Sequence, residues 1–130
     1  MNQIEPEKIQ SFITHDATAK TMIEFAEDLG RYLKEKKVTT SQIRNAYGNM
    51  KKLEMAGWQE NRTQREVLLL KPRLAYAAGR QQDRDSREGL QSLRDTMDSA
   101  IDAVTNEDSF KRFCQFFEAI IAYHKAVGGK

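Results

Sequence analysis

The 130 residues suit one domain, 1–130, and 21 basic against 19 acidic side chains leave a net charge of +2. Leu, Ile, Val and Phe make up about 21% of the chain, which with the low net charge argues against disorder. The single Cys114 excludes an internal disulfide framework and a cysteine-based zinc site and fits a reducing cytoplasm; uncharged apolar runs such as Val67 to Leu70 are too short to span a bilayer, and the Met-Asn-Gln-Ile-Glu opening lacks a signal-peptide pattern.

The periodicity is helical almost throughout, without competing β-alternation. Pro6 in a first turn, followed by Ile9, Phe12 and Ile13, predicts a short opening helix broken at His15 and Asp16. Asp16 or Thr18 is placed to cap the next helix, whose inner face is Met22, Phe25, Ala26, Leu29 and Leu33 and which ends in Lys34, Lys36 and Lys37. Thr39 and Gln42 read as a capping box opening a helix to about Met55, with Ile43, Ala46, Tyr47, Met50 and Leu53 inward and Gly57 as its stop. A polar stretch, Gln59 to Gln64, leads into the apolar segment Val67 to Ala78, where Pro72 is expected to kink or divide a helix and Gly79 to end it. The stretch from Arg80 to Arg87, with interleaved acids, reads as a mobile loop. Ser86 is then taken as the cap of a helix with stripe Leu90, Leu93, Met97, Ile101 and Val104. Asn106 starts the last helix, with Phe110, Phe113, Cys114, Phe117, Ile120 and Ile121 inward. The expected fold is all-α, a compact bundle of five main helices plus a short N-terminal one.

Charge is distributed unevenly: residues 1–30 carry net −4, 31–87 net +8 and 88–130 net −2. A basic middle between acidic flanks suits a polyanion. Within it, Arg44 and Lys51 lie two helical turns apart with Lys52 adjacent, and are expected on a face opposite Tyr47 and Met50. Gly48 between them costs a helix about 1 kcal/mol against alanine, so a close approach by another helix or a ligand backbone is expected there. Beyond Pro72, Arg73, Tyr76, Ala77 and Arg80 share a face that can hold a nucleic-acid backbone and stack a base, with Lys71 pointing elsewhere. Asp95, Asp98 and Asp102 share a helix face, but with no histidine near in sequence they read as polar surface rather than a Mg²⁺ site. His15 and His124 have no nucleophile at a catalytic spacing, Cys114 reads as a buried inert thiol, and Trp58 as an anchor at the core's edge. Phosphate-binding loop, dinucleotide fingerprint and HExxH are all missing. The expectation is no catalytic residue, no metal and no cofactor.

Three segments carry a family resemblance: Thr40 to Tyr47 (TSQIRNAY), Leu69 to Arg80 (LLKPRLAYAAGR) and Phe110 to Lys125 (FKRFCQFFEAIIAYHK). In that order and spacing the chain resembles the small subunit of the type III-A CRISPR effector, the Csm complex, over about residues 20 to 128. The resemblance implies a non-enzymatic RNA-binding subunit whose copies stack head to tail beside the backbone subunits, along guide (crRNA) paired to target RNA, while other subunits cut. Carried over by position, the RNA-binding residues are Arg44, Lys51, Lys52, Lys71, Arg73 and Arg80, with Lys71 resting mainly on the resemblance. Guides of changing sequence call for phosphate and shape contacts, weak for one copy and strengthened by stacking, in which an acidic flank would meet a basic face of the next copy. The alternatives are a helical protein–protein adaptor using the aromatic last helix, with no nucleic acid, and a carboxylate-metal enzyme.

Overall fold

A computed structural model describes residues 6–16 and 18–130; the opening five residues, on which the reading of no signal peptide rests, lie outside them. Seven helical segments follow in order: α1 (Pro6–Thr14), α2 (Lys20–Glu35), α3 (Thr40–Ala56), α4 (Arg62–Leu68), α5 (Leu70–Gly79), α6 (Arg84–Asp102) and α7 (Glu107–Ala126). There is no strand among the described residues. With α4 and α5 counted as one Pro-divided segment, the set is five main helices and the short N-terminal one. No described helix is long and apolar enough to cross a membrane.

The helix starts follow local hydrogen-bond chemistry. The cap position of α2 is held by Ala19, at φ 61°, and not by Asp16 or Thr18; those two side chains instead accept the N–H groups of Ala19 at 2.8 Å and of Lys20 at 3.3 Å from just before the helix. Thr39 and Gln42 form the expected capping box of α3. Gly57 ends α3 at φ 81°, a left-handed value that suits glycine. Asn106 and Ser109 cap α7 reciprocally.

At α6 the expectation is corrected. Asp83, not Ser86, is the cap: its carboxylate accepts the Ser86 N–H at 2.9 Å, and Ser86 is buried. The stretch read as a loop is helical from Arg84 onward, because Asp83 and the first-turn Asp85 favour a helix start.

Pro72 divides rather than kinks. It stands in the first turn of α5, where its missing N–H has no intrahelical partner to lose, and the break falls upstream at Leu69. α4 itself reaches back through the stretch read as polar, since Thr63, Val67 and Leu70 at helical spacing are all buried.

α7 is the central helix. Phe113, Phe116 and Phe117 are all fully buried, and Ile121, expected inward, is only half-buried. Phe116 meets Phe12 of α1 edge-on at 4.8 Å, and Phe117 meets Tyr47 of α3 at 5.4 Å. Trp58 packs on Phe110 at 5.7 Å, an anchor at the core's edge as expected. α2 lies closest to α7. A β-carbon at Gly30 would fall 2.8 Å from the His124 backbone nitrogen and 2.8 Å from Tyr123 Cβ. His124 is buried, and its Nε2–H donates to the Val38 carbonyl at 2.7 Å, tying the end of α7 to the α2–α3 connection.

Cys114 is fully buried on α7, and burial pushes its thiol up to about 12. The folded value lies above the unfolded one, so this contribution to stability is intact below the ordinary thiol range and is lost as pH rises toward 12. Accordingly, a thiol reagent at pH 8 should leave the folded protein unlabelled and label it stoichiometrically in denaturant, read by intact mass.

The close approach expected at Gly48 is not made by another helix: a β-carbon there would meet nothing within 4 Å. Gly48→Ala should therefore stabilise the protein by about 1 kcal/mol, raising the melting temperature by about 3–5 °C in a thermal scan.

Candidate nucleic-acid interface

α3 and α5 pack side by side and leave an open groove of about 880 Å³, lined by Ser41, Gln42 and Asn45 from α3, Pro72, Arg73 and Tyr76 from α5, and Arg80 just past its end. A second groove continues past Arg73 toward the α3–α4 connection, where Asn49, Lys52 and Arg62 meet Glu66 and Leu69. Arg73 lines both. Its guanidinium donates to Asn45 Oδ1 at 2.9 Å, which holds it across the α3–α5 junction. Tyr76 is 68% exposed, and the Arg80 guanidinium lies over its ring at 5.6 Å from the centroid.

The expected basic residues separate into two groups. Lys52, Arg73 and Arg80 stand exposed along the joined grooves, and Arg44 is exposed on α3 beside the groove residue Asn45. None of these four forms an ion pair among the described residues. Lys51 and Lys71 go elsewhere. Lys51 faces α7, 2.7 Å from Glu54 and 3.6 Å from Glu118, and the Glu54 hydrogen bond raises its pKa. Seven residues apart, Lys51 and Arg44 share a side of α3 as expected, but that side is not opposite Tyr47, which lies one turn before Lys51 and packs on Phe117. Lys71 points away from Arg73, as its position relative to a regular helix required, and binds Asp102 of α6 at 2.6 Å.

Arg62 was missed by the sequence reading, which left 59–64 as polar connection. The signal was Thr63 taking an apolar position one helical turn before Val67, which extends the helix through Arg62.

Two of the three aspartates of α6 are held by cations. Asp102 pairs with Lys71, and Asp98 lies 3.7 Å from Arg94. Burial raises the Asp98 pKa, against the pull of Lys71 and Arg94. Among the described residues no three His, Cys, Asp or Glu side chains converge as metal ligands.

Comparison with known families decides what carries this surface. The family model for Csm2 Type III-A matches residues 16–130. The chain belongs to the Csm2 family. Searches of curated proteins and of solved structures returned no match. Membership makes this chain a small subunit of the type III-A CRISPR complex, one of a structural small-subunit family associated with the other Csm subunits. Both grooves lie within the matched region, as do α2 through α7.

Proposed function

We propose that this Csm2 subunit is a non-catalytic, cytoplasmic RNA-binding protein that holds guide and target RNA by their phosphates along the joined α3–α5 and α3–α4 grooves. Arg73, Arg80, Lys52 and the newly placed Arg62 supply the contacts, with Arg44 beside them. Lys51 and Lys71 serve the bundle through their carboxylate partners.

The observation that carries the reading is the contrast between these cations. Those on the grooves stand exposed without carboxylate partners, while the two turned elsewhere are ion-paired. Guanidinium and ammonium groups left open along a continuous concave strip match a polyanion backbone, and they read no base. One copy offers few contacts, so affinity comes from copies stacked head to tail along the RNA.

The adaptor alternative needs the aromatic face of the last helix as its surface. Phe110, Phe113, Phe116 and Phe117 are all buried inside the bundle, which leaves that surface without its aromatic residues.

Fluorescence anisotropy of labelled single-stranded RNAs of unrelated sequence, titrated with the protein at several salt concentrations, tests the reading. Similar affinity for each sequence with steep salt dependence is expected. Binding that depends on sequence and ignores salt overturns it.

A further inference from the structure

We infer that Tyr76 is a stacking platform for one unpaired RNA base beside the phosphate strip; the inference rests on the RNA reading of the groove. Arg80, the residue that caps the end of α5, follows Tyr76 by one helical turn, so the helix delivers the guanidinium over the phenol ring, at 5.6 Å from its centroid. A phenol whose residue is 68% exposed gains little from the core, and the other tyrosines of the chain are all partly buried. Tyr76 lines the same groove as Arg73, one of the proposed backbone contacts.

The floor of the groove argues for stacking without base reading. Three of its four amides, Gln42, Asn45 and Gln81, are already hydrogen-bonded within the protein, while Gln82 is exposed. Gln42 Oε1 accepts the Thr39 N–H at 2.9 Å, Gln42 Nε2 donates to Gln81 Oε1 at 3.0 Å, and Gln81 Nε2 donates to the Ala77 carbonyl at 3.1 Å. Asn45 Oδ1 is taken by Arg73. A chain of satisfied amides is a rigid floor with few free groups for a base edge. The open feature is the π-face of Tyr76, which accepts any base. The ligand class is therefore a nucleotide whose base is out of its duplex, held by an Arg–Tyr stack with its phosphates on Arg73. A fully paired stretch, with its bases enclosed, would engage only the phosphate strip.

The test compares two labelled probes, an oligouridylate and an abasic ribose-phosphate oligomer of equal length and equal phosphate count, by anisotropy at low salt with the full chain. The oligouridylate should bind about tenfold tighter. Tyr76→Ala should bring it to the abasic level and leave the abasic affinity unchanged, while Tyr76→Phe and Tyr76→Trp should retain the preference. The exposed position lets all three variants fold, which a thermal melt checks. Equal binding of the two probes by the unaltered protein, or a preference that survives Tyr76→Ala, overturns the stacking inference and leaves the phosphate reading standing. Binding of neither probe at low salt overturns both.

Discussion

Gly30→Val should destabilise the protein by about 3 kcal/mol or more, a fall of about 10 °C or more in melting temperature, read by circular dichroism. The position lies mid-helix in α2, against the backbone of α7. Even the β-carbon of alanine would come within 2.8 Å of the His124 nitrogen and 3.0 Å of the Ile120 carbonyl oxygen. Those are backbone atoms of the central helix, fixed by its own hydrogen bonds, and they cannot swing aside as a flexible side chain can. Valine adds two methyl groups to that collision, so α2 must move off α7. That shift would disturb Leu29 and Leu33, both fully buried, together with the His124–Val38 hydrogen bond. Gly48→Ala is the internal control. The same β-carbon added in α3 meets open space and should stabilise. Opposite signs from the two glycines would show that packing, and not helix propensity, sets the larger effect.

The triple variant Lys52→Ala, Arg62→Ala, Arg73→Ala should lose RNA affinity on the order of a hundredfold at low salt, uniformly across sequences. The slope of log affinity against log salt should become shallower by about 2, since each single-strand phosphate contact contributes about 0.7. All three residues line the second groove, and of them only Arg73 also lines the groove of Tyr76 and Arg80, so the Lys52→Ala, Arg62→Ala pair probes phosphate contact apart from base stacking. The counterpart is Lys51→Ala with Lys71→Ala, which removes two positive charges from the molecule but none from the strip. Their ammonium groups are engaged by Glu54 and Glu118, and by Asp102. Affinity should then fall no more than about threefold, the share expected from a change in net charge. Equal losses in the two variants would mean that total charge, not the groove, drives binding.

Most of the architecture was legible because it is written in local chemistry. A capping box needs only residues three apart, and Thr39 with Gln42 supplies one. Helical stripes such as Leu90, Leu93, Met97 and Ile101 place a buried face without knowledge of its partner. The cap of α6 was misplaced by three residues because Asp83 and Ser86 are both good caps, and the choice between them lies in which side chain reaches the free N–H. Phe116 shows a different limit. One stripe accounts for a helix packed on one side, but α7 is covered by α1, α2 and α3 together, so residues off the stripe are buried as well.

The candidate site divides in the same way. Residue type and spacing on α5 were enough to put Arg73, Tyr76 and Arg80 on one face, and to set Lys71 apart from them. Helical class and the number of main helices were likewise determined by the sequence itself, because hydrogen bonding and side-chain periodicity act within a few residues, whereas Pro72 left a kink and a division both open and the break falls at Leu69. Which cations remain open was decided only by the tertiary structure. The carboxylates of Glu118 and Asp102 lie far away in sequence and reach Lys51 and Lys71 through helix packing. The same packing sets Arg62 beside Lys52 and brings α7 against Gly30. These are long-range pairings, and a charge or a glycine carries no local mark of what the folded chain will place against it.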